Sequence, residues 1–86
     1  IAFNNGTITV TGTVTGVNEY LKKHKSTVNI YDENDEVLFT KNNVDFQGGG
    51  NSLTYIIDNN EFSNYSLVRK VEIIDAVCMR FYKKFD

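Results

Sequence analysis

The sequence predicts an all-β fold: a small antiparallel β-sandwich, immunoglobulin-like, of about six to seven strands, with a small open β-barrel as the alternative. Three observations predict it. Apolar and polar residues alternate with a period of two, clusters of turn residues separate the alternating segments, and no segment keeps a 3.6-residue apolar period. The chain has 86 residues, which predicts one domain spanning residues 1–86.

Residues 26–41 are predicted to form a β-hairpin on which the other strands pack. The first strand places Val28 and Ile30 on one face, and its other face carries Thr27, Asn29 and Tyr31. The acidic stretch 32–36 forms the turn, because Asp and Asn side chains bond nearby backbone amides and tolerate left-handed conformations. In the second strand, either Val37 and Phe39 face the core or Leu38 does.

Four further segments read as strands, and residues 44–46 read as a short strand or edge segment. The four segments are residues 6–16, 53–58, 66–76 and 77–85. The first has Ile8, Val10 and Val14 on its apolar face, and the second has Leu53, Tyr55 and Ile57 on one face. In the third, Val71 and Ile73 are predicted to point inward and Lys70, Glu72 and Ile74 outward. Between them, Asn5-Gly6 is a turn signal, residues 41–43 are another predicted turn, and residues 47–52 are a predicted loop. Residues 1–5 are expected to be a short lead-in.

Composition excludes several classes of function. A net charge of −2 with mixed signs does not favour nucleic-acid binding, which uses a clustered basic face. No apolar run approaches the ~20 residues of a membrane span, so none is predicted in this chain. The single cysteine, Cys78, rules out an internal disulfide, and its apolar neighbours predict a buried, unreactive thiol.

No catalytic, cofactor-binding or metal-binding residue is predicted, and the chain is not expected to be an enzyme. His24 is the only histidine and lies between lysines, with no second histidine or cysteine nearby in sequence. The acidic turn imitates the start of an EF-hand calcium loop. Val37 and Asn43 occupy the places where that loop needs a glycine and its last carboxylate, so the motif fails.

Candidate partner contacts are aromatic and basic residues, the types that dominate binding hot spots. They are Tyr20, Tyr31, Tyr82, Lys22, Lys23 and Lys25. The predicted partner is a protein, with a glycan as the second choice.

Four segments resemble FxLYD-type domains and related immunoglobulin-like modules of bacterial envelope proteins and lipoproteins. They are ITVTGTVTG (8–16), TVNIYDENDEVL (27–38), the glycine-containing segment up to LTYII (48–57), and YSLVRKVEIIDA (65–76). The chain departs from the family at 34–36, where the family prefers a glycine, and at 48–50, which alone represents its proline-glycine loop. The resemblance implies a non-catalytic accessory module that is exported and often repeated or attached to other domains.

Two functions are therefore weighed. The first is a non-catalytic binding or spacer module of an exported bacterial cell-surface protein or lipoprotein, located in the cell envelope or outside the cell. The alternative is a small phage or mobile-element protein that binds and inhibits a host protein in the cytoplasm. The chain begins with Ile1, which suggests a processed form or an excised domain.

Overall fold

The computed structural model describes residues 1–12, 21, 23–49, 51–76 and 80–86. In these residues it contains eight strands and one short 3₁₀ turn, and Leu21 and Lys23 are in helical conformation. The strands and the turn are β1 (Ala2–Asn4), β2 (Thr7–Thr11), β3 (Ser26–Tyr31), β4 (Val37–Val44), β5 (Gln47–Gly49), β6 (Ser52–Ile56), the 3₁₀ turn (Tyr65–Leu67), β7 (Lys70–Ile74) and β8 (Arg80–Lys84). The sequence predictions for Val14, Tyr20, Lys22 and Cys78 lie outside the described residues.

The strands form two four-stranded antiparallel sheets, which confirms the predicted sandwich. The first sheet has the order β1-β2-β6-β5 and the second sheet has the order β4-β3-β7-β8. This is the immunoglobulin arrangement, in which strands A, B, E and D face strands C′, C, F and G. The described strands divide between two separate sheets and do not close into a barrel. The strand count exceeds the predicted six to seven because β1 and β5 arise from a predicted lead-in and a predicted loop.

The first hairpin closes on Asn5 and Gly6, as the turn signal predicted. Both residues have positive φ, 48° and 87°, the requirement of a two-residue type I′ turn. The turn pairs β1 with β2, so that Phe3 lies opposite Ile8. Ile8 is fully buried and Val10 is 8% exposed, whereas Thr11 points to solvent. The predicted alternation is thus confirmed over Thr7–Thr11.

The second hairpin confirms the acidic turn and its mechanism. The Asp32 carboxylate accepts hydrogen bonds from the backbone amides of Asn34 at 2.8 Å and Glu36 at 3.0 Å. Asp35 takes the left-handed conformation with φ of 59°, which Asp tolerates better than most residues. The short acidic side chains therefore close the loop between β3 and β4 with local hydrogen bonds.

A register shift between β3 and β4 determines which residues of β4 face the core. Phe39 lies opposite the buried Ile30, but Tyr31 pairs with Val37, so Leu38 is an extra residue in the ladder. Leu38 and Phe39 both pack against the core, while Val37 is 56% exposed. Neither of the two predicted alternations is followed, because the bulge interrupts the period of two.

Two predictions made from turn residues were wrong. Residues 41–43 belong to β4, which continues to Val44 because it pairs with β3 along its length. Asn43 takes a positive φ of 58° within that strand, near the second register shift. Likewise, Gln47–Gly49 forms β5, a short edge strand against β6, inside the predicted loop 47–52.

The core lies between the two sheets and is continuous. Its buried members are Ile8, Val10, Leu21, Val28, Ile30, Val44, Phe46, Leu53, Ile57, Phe62, Val68, Val71 and Ile73. They include Val28 and Ile30 of β3, Val71 and Ile73 of β7, and Leu53 and Ile57 of the predicted strand 53–58. Tyr55, predicted on the same face as Leu53, is half-buried, and Ile56 on the opposite face is 71% exposed. Phe62 stacks on Phe39, with ring centroids 5.5 Å apart, and anchors the irregular segment after β6.

No helix among the described residues is long and apolar enough to cross a membrane.

Candidate functional site

The outer face of the second sheet carries a row of polar and aromatic side chains. Alternation buries Val28, Ile30, Val71 and Ile73, so the residues between them point outward. The register then sets Asn29 opposite Glu72, and Glu72 opposite Tyr82. Three residues from β3, β7 and β8 thus lie side by side across the middle of the sheet.

Glu72 lies at the centre of this row and is only 8% exposed. Its Oε1 accepts hydrogen bonds from Tyr31 Oη at 2.8 Å and from Asn29 Nδ2 at 3.1 Å. Asn29 Oδ1 in turn accepts a 2.7 Å hydrogen bond from the Thr40 hydroxyl on β4. On the other side, the Arg80 guanidinium lies 3.8 Å from Glu72 Oε2. The carboxylate is therefore held directly by side chains from β3 and β8, and Thr40 on β4 supports it indirectly through Asn29.

This arrangement shifts two pKa values in opposite directions. Burial by itself raises the pKa of Glu72, but the hydrogen bonds from Tyr31 and Asn29 and the charges of Arg80 and Lys70 outweigh it and lower that pKa below its ordinary value. The same hydrogen bond, together with burial and the carboxylate charge, raises the pKa of the Tyr31 phenol. Glu72 is thus an anion at neutral pH and Tyr31 a neutral donor.

Lys70 holds two tyrosine rings in place. Its Nζ lies 4.3 Å from the centroid of the Tyr31 ring and 5.8 Å from that of the Tyr82 ring. The same ammonium group lies 3.1 Å from Asp35 Oδ1, and its side chain is only 17% exposed. A cation so close to aromatic faces attracts them through their quadrupoles. Lys70 therefore links the two tyrosines to the acidic turn.

We call Tyr31, Asn29, Lys70, Glu72, Arg80 and Tyr82 the Glu72 cluster. Glu72 is buried and Asn29, Tyr31 and Lys70 are half-buried, but Tyr82 is 63% exposed and Arg80 is also exposed. Tyrosine and arginine are the side chains most enriched at protein-binding hot spots. The cluster is consequently a pre-formed surface that offers one aromatic ring and one cation to solvent.

An open groove of about 370 Å³ adjoins the cluster at the acidic turn. It is lined by Asp32, Glu33, Asp35, Arg69, Lys70, Lys84, Phe85 and Asp86. The Arg69 guanidinium is already engaged, because it donates to the carbonyls of Ser66 at 2.8 Å and Val68 at 2.9 Å. Both acidic and basic side chains line the groove, so its lining does not select a ligand by charge alone.

Two of the predicted contact residues, Tyr31 and Tyr82, meet in the Glu72 cluster through Lys70. Lys23 and Lys25 are exposed, and Lys25 pairs with Asp45 at 2.8 Å. Lys25 precedes β3, whereas Tyr31 ends it, so the strand's length of about 17–20 Å separates them. The lysines and the tyrosines therefore do not form one surface, and the predicted Tyr20 and Lys22 lie outside the described residues.

The centre of the cluster, Glu72, is not among the predicted contact residues. The alternation predicts that Glu72 faces outward, which is confirmed, but it does not predict that the side chain is buried there. The available signal was a carboxylate in mid-strand among β-branched neighbours, with Tyr31 and Asn29 on another strand's polar face. These residues can be recognised as neighbours only once the register between β3 and β7 is known.

Among the residues that the structure describes, no group of three or more His, Cys, Asp or Glu side chains is placed to hold a metal ion. Asp32, the first residue of the imitation calcium loop, uses its carboxylate to close the turn.

Comparison of the chain with models of known protein families, with curated proteins and with solved structures finds no match.

Proposed function

We propose that this chain is a non-catalytic protein-binding module of an exported bacterial cell-surface protein or lipoprotein. Its contact surface is the Glu72 cluster on the outer face of the second sheet. The export and envelope parts of the proposal rest on the resemblance of the four sequence segments to FxLYD-type modules.

One observation carries the binding role: Glu72 is 8% exposed although it lies on the face of the sheet that points away from the core. Desolvating a carboxylate costs free energy that a purely solvated face would not incur. Here Tyr31 and Asn29 offset that cost with two hydrogen bonds. The result is an ordered polar surface, and order before binding lowers the entropy lost on association.

The chemistry of the surface favours a protein partner. Tyr82 supplies a large, rigid, amphipathic contact, and Arg80 supplies a planar group that can donate several hydrogen bonds. A partner that covers both would also exclude water from the Glu72 carboxylate and strengthen its hydrogen bonds.

The test is affinity capture with the tagged chain, performed in parallel on a cell-envelope fraction and a cytoplasmic fraction. Saturable capture of one partner from the envelope fraction is expected. Tyr82→Ala should weaken it by about tenfold or more, as loss of a hot-spot side chain does. Ile56→Ala is the matched control, since Ile56 is 71% exposed on the first sheet, away from the cluster.

Capture that is equally strong with Tyr82→Ala would contradict the assigned surface. A partner found only in the cytoplasmic fraction would replace the envelope module with the host-inhibitor alternative. If neither fraction yields a saturable partner, the binding role is wrong and a passive spacer remains.

A further inference from the structure

The last strand of the second sheet, β8, has an edge that no other described strand pairs with. The sheet order places β8 beside β7 on one side only. Its five residues, Arg80–Lys84, pair with β7 without a register shift. The ladder extends by one more bond, in which the Phe85 amide donates to the Arg69 carbonyl at 2.7 Å.

The bond between Phe85 and Arg69 identifies which backbone N–H and C=O groups of β8 do not point toward β7. In an antiparallel ladder, successive residues direct their N–H and C=O groups alternately toward one neighbour and the other. Phe85 bonds β7, so Phe81 and Lys83 do so too. Arg80, Tyr82 and Lys84 therefore direct their amides and carbonyls toward the open edge. Their side chains lie on the outer face, where Arg80 and Tyr82 belong to the Glu72 cluster.

The other edges among the described strands are less suited to pairing. β4 is longer, but it contains two register shifts and the left-handed Asn43. β5 has three residues, and Gly48 has a φ of 144°. β1 also has only three residues. Bulges and short edge strands block the addition of another strand, so β8 is the longest regular open edge that the structure describes.

The charge of β8 determines which strand could pair with it. Arg80, Lys83 and Lys84 are three of the nine Lys and Arg residues in an otherwise acidic chain. Within the described part of the chain, no carboxylate forms an ion pair with Lys83 or Lys84. Like charges would oppose the pairing of β8 with a second copy of itself. The same cations would attract an acidic strand.

We propose that β8 accepts an extended acidic segment of the partner protein as a fifth strand of the second sheet. This inference rests on the proposed function and specifies the partner's chemistry at the same surface. Alternate side chains of the added strand would lie on the outer face beside Arg80, Tyr82 and Lys84, where carboxylates are complementary. The intervening side chains would lie beside the half-buried Phe81 and Phe85, where apolar groups fit, and beside the exposed Lys83 between them, which adds to the positive charge of the edge.

The test uses the ¹⁵N-labelled chain and the capped peptide Glu-Val-Glu-Val-Glu-Val-Glu as the probe. In the free protein, the amides of Phe81 and Lys83 should exchange slowly, and those of Arg80, Tyr82 and Lys84 quickly. The peptide should slow exchange at these three edge amides by about tenfold or more when saturating. A peptide with N-methyl groups on alternate residues, which lacks the pairing donors, should give no protection.

The preference of β8 for an acidic strand is tested by reversing the charge of two of its lysines. Lys83→Glu together with Lys84→Glu leaves the Glu72 cluster unchanged, and it should abolish protection by the acidic peptide. The double variant should instead be protected by the peptide in which lysine replaces glutamate. Lys23→Glu, an exposed cation outside β8, is the control and should leave protection unchanged.

Three outcomes would overturn the inference. Equal protection by the lysine peptide and the glutamate peptide would refute the preference for an acidic strand. Peptide-induced shifts of the Tyr31 and Tyr82 ring signals without slower exchange at the edge amides would refute strand addition, while leaving the proposed surface intact. No change with any peptide would also refute strand addition, and the capture experiment with Tyr82→Ala would decide the proposed function separately.

Discussion

The Tyr31 hydroxyl donates a 2.8 Å hydrogen bond to Glu72 Oε1 across two adjacent strands. The two residues are diagonal neighbours, since Tyr31 lies opposite Lys70 and Glu72 lies opposite Asn29. Diagonal pairs on one sheet face are within reach of long and aromatic side chains. This contact links the second hairpin to β7 near the end of the chain, because the two residues are 41 positions apart in sequence.

Glu72 should make the protein sensitive to acid. Its pKa lies below the ordinary value of 4.5 in the folded state. The stabilisation is therefore complete above about pH 4.5 and is lost as the pH falls through the lower, folded-state pKa. Glu72→Gln should reduce the free energy of unfolding by about 1–2 kcal/mol at pH 7 and make that free energy fall less steeply on acidification. Urea unfolding of both proteins between pH 2.5 and 7 measures the free energy of unfolding at each pH. An equally steep fall in the variant would show that Glu72 does not cause the acid sensitivity.

Tyr31 should ionise at a higher pH than an ordinary tyrosine. Its pKa is raised above 10.0, first by the hydrogen bond to Glu72 and then by burial. The corresponding stabilisation is present below pH 10 and is lost as the pH rises through the raised pKa. NMR titration of ¹³Cζ-labelled tyrosine follows this ionisation, with Tyr31→Phe assigning the signal. In Glu72→Gln the Tyr31 midpoint should fall toward 10, and an unchanged midpoint would contradict the assigned cause.

Gly48 should be intolerant of a side chain, in contrast to its neighbour. Its φ is 144°, and an added Cβ would collide with the backbone carbonyl oxygen of Ser52. Gly48→Ala should therefore lower the free energy of unfolding by about 1–3 kcal/mol. Gly49→Ala is the matched control, because a Cβ there meets no atom within 4 Å. Equal midpoints for the two variants in chemical denaturation would refute the assigned geometry of β5.

Phe62 should contribute strongly to stability although it lies outside the strands. It is 8% exposed and packs on Phe39 and Tyr65, with ring centroids 5.5 Å and 5.8 Å away. Phe62→Ala should cost about 3–5 kcal/mol through lost burial and the cavity it leaves. Leu67→Ala is the control, since Leu67 is 50% exposed and its loss should cost less than about 0.5 kcal/mol. Thermal unfolding of the two variants separates these expectations.

Two of the six residues of the Glu72 cluster were predictable from the sequence. Tyr31 and Tyr82 were chosen as contact residues by type and strand position, and the structure places both in the Glu72 cluster. Lys23 and Lys25 were chosen by the same criterion but lie at the far end of β3. Residue type and exposure are local properties, whereas the distance between two exposed residues depends on how the strands pair.

The amino-acid sequence by itself determined the fold class and the inward face of most strands, because side chains on a strand alternate with a period of two. Val28, Ile30, Val71 and Ile73 could be assigned to the core without knowing their neighbours. Tertiary structure decided what the outward residues do. Strand pairing overrode the turn residues at 41–43, and the register of β3 and β7 placed Asn29 beside Glu72. Cross-strand contacts join residues that are distant in the chain, so only the assembled sheet brings together the groups that desolvate and hold the carboxylate.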